Sequence, residues 1–195
     1  DYQLETKAYG EAVKYYDMVS GSDAEGAEFL KKYGNAALQA KDEAKTYSIY
    51  RKLALKTPGD ADIFKSLYQI AEKNGSKDDV LEYLRKYTKL RPNDENAQRT
   101  LGEMLYEKKD SRGALAAYRA VLKINPSAKG FYKKYAELVM AQEPPKKYAK
   151  GQKTIEEEVI EVLTAAAAAG EADVAMYRKL GAFYENSKQY GKAVQ

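Results

Sequence analysis

The chain has 195 residues, and its 33 basic and 29 acidic side chains leave a net charge of +4, mildly basic and well short of a dedicated nucleic-acid binder. It contains neither cysteine nor histidine, which excludes disulfides, thiolate metal sites and any Ser–His or Cys–His catalysis. No apolar stretch reaches the run of about 18 residues that a membrane helix needs.

Taken in chain order, residues 1–20 read as a trailing helix whose first partner is missing. Three units follow at 27–60, 61–94 and 95–128. Within each, apolar residues recur at spacings of three and four, which is helical. Leu30, Tyr33, Gly34 and Ala37 form one stripe of the first unit, and Thr46, Tyr50 and Leu53 form the other. Polar breakers at Ala40-Lys41-Asp42, Lys73-Asn74-Gly75-Ser76 and Lys108-Lys109-Asp110-Ser111 separate the stripes, so each unit predicts two antiparallel helices. Pro58, Pro92 and Pro126 recur every 34 residues and stop each unit, with Asp60, Asp94 or Ser127 placed to cap the next helix. An expanded unit spans 129–172 with an insertion near 141–151, and a truncated unit spans 174–195.

The same period runs through independent columns. Ala12, Thr46, Val80 and Ala114 form a ladder that breaks, then resumes at Val159 and Ala193 once 11 extra residues are allowed. Tyr33, Leu67, Leu101, Tyr135 and Leu180 form an apolar column, followed by Gly34, Tyr68, Gly102, Ala136 and Gly181, mostly small. Tyr16, Tyr50, Leu84, Tyr118 and Leu163 form a bulky one.

On Leu101-Gly102, Leu105, Ala114, Tyr118, Val121 and Pro126, the chain resembles the tetratricopeptide repeat family, whose unit is a 34-residue helix–turn–helix. Tyr177, Leu180, Gly181, Tyr184, Tyr190 and Ala193 repeat the pattern. The resemblance implies an all-α fold, a right-handed α-solenoid of antiparallel helical hairpins whose first helices line a concave groove. Tyr68 departs from it, and so do Thr46 and Val80 where the family has Ala; looser or locally shifted packing is expected at these junctions. The chain starts inside one hairpin and stops inside another without polar caps, so the array is expected to continue, and open ends offer a route to self-association.

One column is basic throughout: Lys31, Lys65, Arg99, Lys133 and Arg178. On the groove side these would form a stripe of one sign, suited to an acidic segment; the plainer reading is that long basic side chains cover apolar neighbours and meet local carboxylates. Asn35, Gln69 and Tyr106 join them as candidate peptide contacts. Some relatives clamp a terminal carboxylate with a set of Lys, Asn and Arg. Here Lys31 and Asn35 fit the first pair, but Ser66, Asn96 and Thr100 break the pattern. The insertion, with Pro144-Pro145 and lysines around Tyr148, is a second candidate edge, or a tolerated surface loop. Ala165 to Ala169 reads as a strong helix former, and Glu156-Glu157-Glu158 as a solvated face with no converging acid/base pair.

The expected function is a non-catalytic protein-interaction scaffold, without cofactor or metal, that holds an acidic peptide or partner segment. Single-stranded RNA binding, or a place as an accessory segment of a larger enzyme, are the alternatives; one cation per unit is thin for phosphate tracking. Nothing in the sequence assigns a compartment.

Overall fold

The computed structural model describes residues 2–21, 26–142, 149, 151 and 153–186, and every regular element among them is a helix. The segments 22–25 and 187–195, and most of the 141–151 insertion including Pro144-Pro145 and Tyr148, lie outside the described residues. Packing divides the chain into two compact units, Asp1–Pro92 and Asn93–Gln195.

The first unit holds α1 (Tyr2–Val19), α2 (Ala27–Gln39), α3 (Glu43–Lys56), α4 (Ala61–Lys73) and α5 (Lys77–Leu90). The second holds α6 (Glu95–Glu107), α7 (Ser111–Ile124), α8 (Tyr132–Met140), α9 (Ile155–Ala169) and α10 (Val174–Asn186). In each unit a helix packs mainly on its neighbours in the chain, as a stack of hairpins does.

The turn inside the hairpin is built the same way three times. Lys41, Gly75 and Lys109 take left-handed backbone, at φ 59°, 72° and 60°. The next amide then reaches back to the helix it has just left: Asp42 N to Ala37 O, Ser76 N to Ala71 O, and Asp110 N to Leu105 O, at 2.9–3.0 Å. Asp42 and Asp110 then cap α3 and α7 by accepting from Lys45 N and Gly113 N, both at 2.9 Å.

Between hairpins the expected caps hold at two positions out of three. Asp60 accepts from Asp62 N and Asp94 from Ala97 N. Ser127 caps nothing, because α8 starts later, at Tyr132, with no side-chain cap of its own. Glu171, beyond the far end of α9, takes that role by accepting from Gly130 N and Tyr132 N. The two ends of the expanded hairpin are thereby tied together.

The apolar columns form the core. Leu30, Leu53, Leu67, Leu84, Tyr118, Val121, Val159 and Leu163 are all at most 1% exposed. At Tyr68 the packing is shifted locally, for a specific reason. The small column faces the bulky ring of its own hairpin: a Cβ on Gly34 would stand 2.3 Å from Tyr50 Cε1, and one on Gly102 would stand 2.7 Å from Tyr118 Cε1. Where Tyr68 replaces the glycine, Leu84 replaces the ring, so bulk moves from the second helix to the first. The Tyr68 ring packs instead beside Tyr87, at 5.6 Å. Thr46 is fully buried, yet its hydroxyl donates to Asp42 O at 2.7 Å, so it packs without an orphaned polar group.

A polar link joins the second helices of successive hairpins at one register. Lys45 on α3 meets Asp17 on α1 at 2.7 Å, and Tyr33 also donates to Asp17. On α5, Asp79 accepts from Tyr47 at 2.8 Å and feels the charge of Arg51. Glu158 on α9 receives two bonds of 2.7 Å from Arg119 on α7, and a third of 2.7 Å from Tyr135. Gly113, at the same register, has no side chain to contribute.

All three carboxyls are held below their ordinary values: Asp17 by its bonds from Lys45 and Tyr33, and Asp79 by those from Tyr47 and Ser76. Burial pushes Glu158 up, but the bonds from Arg119 and Tyr135 outweigh it. Each group therefore binds its proton more weakly folded than unfolded. The stability it confers is present above the ordinary values of 3.8 for Asp and 4.5 for Glu, and is lost as pH falls through the depressed ones. Urea titrations should show the unfolding midpoint dropping below about pH 4.5. Glu158→Gln should flatten that fall and cost about 1.5 kcal/mol at neutral pH. A midpoint independent of pH, or an unchanged slope in the variant, would remove these links as stabilising elements.

Candidate functional site

The basic column is not uniform. Lys31 on α2 and Lys65 on α4 are exposed, and neither has a hydrogen-bond or ion-pair partner among the described residues. Arg178 on α10 is in the same condition. Arg99 is different. It pairs with Glu95 at 2.9 Å, donates to Lys129 O, and lies 5.2 Å above the Phe131 ring, with 28% of its side chain exposed. That guanidinium joins α6 to the loop before α8 and has little left for a ligand. Lys133 sits 3.5 Å from Asp173 in an open pair, which competing ligands can displace at small cost.

The amide and tyrosine candidates also divide. Asn35 is exposed on α2, but its Oδ1 accepts from the buried Tyr50 hydroxyl at 2.8 Å. It thus holds a core ring in place. Gln69, one turn beyond Lys65 on α4, is exposed.

Tyr106 on α6 donates to Glu137 at 2.6 Å, and Lys134 lies 5.4 Å over its ring. Lys134 in turn pairs with Glu103, which accepts from Tyr118 at 3.2 Å. This chain of contacts runs between α6 and α8 and ends on Tyr118 of α7. The bond to Glu137, then burial, raises the Tyr106 hydroxyl above its usual range, so it remains a donor at physiological pH.

The site therefore differs between units. In the first, α2 and α4 present cations at matching register with adjacent amides, Lys31 with Asn35 and Lys65 with Gln69. In the second, Glu103 and Glu137 balance the lysines around Tyr106. Sequence reading missed Glu158, which it placed on a solvated face. Glu157 instead closes a capping box with Thr154, and Glu158 turns inward to Arg119. The available signal was opposite charge recurring between two columns, 17 with 45 and 51 with 79. Among the described residues no cluster of acidic side chains is arranged to hold a metal ion, and no helix is long and apolar enough to cross a membrane.

No family model and no curated protein matches the sequence. Solved structures share the fold. MamA AMB-1 superposes with a TM-score of 0.54 at 18% identity, covering 89% of this chain and 90% of that one. A MamA mutant gives 0.50 at 17% identity, over 85% and 91%. YrrB, described as a TPR protein with an unusual peptide-binding site, gives 0.49 at 16% identity, over 98% and 87%. MamA AMB-1 and this chain share an all-α array of helical hairpins, the arrangement that the tetratricopeptide resemblance implies.

Proposed function

We propose that the chain is a non-catalytic protein-interaction scaffold that holds an acidic peptide or partner segment on the first-helix face of its N-terminal unit. One observation carries this reading. Of the basic column, Lys31 and Lys65 recur on successive first helices of one unit, exposed and without partners among the described residues, while Arg99 and Lys133 are engaged within the fold. Exposed long cations at a repeat spacing suit carboxylates spaced along an extended segment, and Asn35 and Gln69 lie one turn away to read its backbone. Arg178 is the corresponding open cation of the C-terminal unit. Tyr106 and Lys133 contribute less, since a ligand must first displace Glu137 or Asp173.

The test is charge reversal read by fluorescence anisotropy with a labelled glutamate-rich peptide. Lys31→Glu with Lys65→Glu should weaken binding by about tenfold or more and leave the helical circular dichroism intact. Affinity that is unchanged in the variant, or insensitive to salt in the wild type, would reject the site.

A further inference from the structure

Four columns seat a second helix against the first helix of its own hairpin. In α3 they are Thr46, Ile49, Tyr50 and Leu53, of which Ile49 and Tyr50 lie against Gly34. Throughout α3, α5, α7 and α9 no member of these columns is more than 5% exposed. The same columns in α1 are Ala12, Tyr15, Tyr16 and Val19. There Tyr15 is 68% exposed, Val19 is 53% exposed, and Ala12 and Tyr16 are half-buried. Tyr16 is nevertheless placed as in a complete hairpin. Its ring stacks on Tyr33 at 5.4 Å and meets Phe29 at 5.6 Å, as Tyr118 at the same register meets Tyr135 and Phe131. Tyr118 also has Gly102 against it and is fully buried.

The reverse holds at α10. Tyr177, Leu180, Gly181 and Tyr184 repeat the register of Leu30, Tyr33, Gly34 and Ala37, the face a first helix turns to its second helix. Tyr177 is 52% exposed, whereas Leu30, Phe64, Gln98 and Tyr132 in its column are buried. Leu180 and Gly181 are half-buried, whereas Tyr33 and Gly34 are buried.

We infer that α1 of one copy docks on α10 of a second copy, in the place a second helix takes within a hairpin. The pairing of columns inside the chain selects this occupant. A glycine in the small column faces a ring, as Gly34 faces Tyr50 and Gly102 faces Tyr118. α10 offers Gly181, and α1 offers Tyr16. Two copies of α1 would instead set ring against ring. The sequence agrees: residues 187–194, directly after α10, closely repeat residues 6–13, and α1 carries that pattern on through Tyr15, Tyr16 and Val19. Charge does not oppose the seam. At the register where Lys45, Asp79 and Glu158 look back to the preceding second helix, α1 carries Glu11, already paired with Lys14 at 2.9 Å. The matching position on α9 is Thr164, a hydroxyl rather than a like charge. One position is mismatched, since Ala182 stands where Asn35 and Glu103 accept the hydroxyl of the ring opposite. Because the two faces differ, the contact is head-to-tail and adds copies beyond the dimer unless it closes into a ring. It uses neither Lys31 nor Lys65, so it is independent of the peptide site.

Sedimentation velocity of the 195-residue chain tests it. Mass should rise with concentration past the dimer. Tyr15→Glu and Tyr177→Glu, both at exposed positions, should each weaken association by about tenfold or more with the helical circular dichroism unchanged. An equimolar mixture of the two variants should stop at a dimer, because each keeps one intact face. Ala182→Glu should tighten association by about threefold or more by giving the Tyr16 hydroxyl an acceptor, and adding Tyr16→Phe should cancel the gain. A chain that stays monomeric up to about 1 mM would overturn the inference, residues 187–195 then being the better candidate to cover α10. Association that survives Tyr177→Glu would assign the contact to α1 alone, and association that survives Tyr15→Glu would assign it elsewhere. Either result would overturn it.

Discussion

Replacing Gly34 by alanine should destabilise the chain by about 1–3 kcal/mol, and adding Tyr50→Leu should recover part of that loss. Taken alone, alanine for glycine inside a helix is favourable by about 1 kcal/mol, because it restricts the unfolded backbone. Here the new Cβ would stand 2.3 Å from Tyr50 Cε1 and 2.6 Å from Cδ1, far inside contact distance. The ring cannot easily swing aside, being 5% exposed with its hydroxyl bonded to Asn35 at 2.8 Å. Overpacking therefore outweighs propensity. The chain contains the compensated version, since α4 carries Tyr68 where α2 has Gly34, and α5 carries Leu84 where α3 has Tyr50. Urea unfolding of both single variants and the double closes the cycle. A coupling energy of more than about 0.5 kcal/mol in favour of the double is expected. Strictly additive losses would show that the ring relaxes and that the glycine column is not set by the tyrosine opposite.

Tyr118→Ala should cost about 3–5 kcal/mol, as truncation of a fully buried aromatic does. The side chain has no exposed surface. Its ring stacks on Phe131 at 5.2 Å and lies 6.1 Å from Tyr135, so it joins α7 to the start of α8 as well as filling the space above Gly102. Both contacts are lost at once. Tyr118→Phe isolates the hydroxyl, which reaches Glu103 at 3.2 Å, and should cost about 1 kcal/mol. The hydroxyl itself is pushed well above its usual range, first by burial and then by the Glu103 charge. Denaturant midpoints measure both variants. A loss below about 0.5 kcal/mol for the alanine would mean that the ring does not bridge those helices.

The hairpins were legible because a hydrophobic period of 34 residues specifies which faces must be buried, and burial dominates the choice of fold. What the period does not encode is which side chains answer one another across helices. Tyr68 looked like a defect within its own column, and only the column opposite, where Leu84 stands, shows the exchange. Ser127 looked like a cap from its place after Pro126, but the chain delays α8 by several residues and Glu171 takes over from outside the local sequence. Arg99 and Lys65 are equivalent by register, yet Arg99 has Glu95 one turn before it and Phe131 beneath it, and Lys65 has neither. Charge at a repeat position says where a cation emerges, and its neighbours decide whether it stays available.

The polarity of the links between second helices has a consequence for how such a chain can evolve. Lys45 looks back to an acid, Asp17, whereas Asp79 and Glu158 look back to arginines. Hairpin 27–60 is therefore matched to the acid of α1. Behind any hairpin that ends in Arg51, Arg85 or Arg119, it would set cation against cation. Shuffling or duplicating that module would be penalised at the new seam, so bricks that look interchangeable by their apolar pattern carry a written order of assembly.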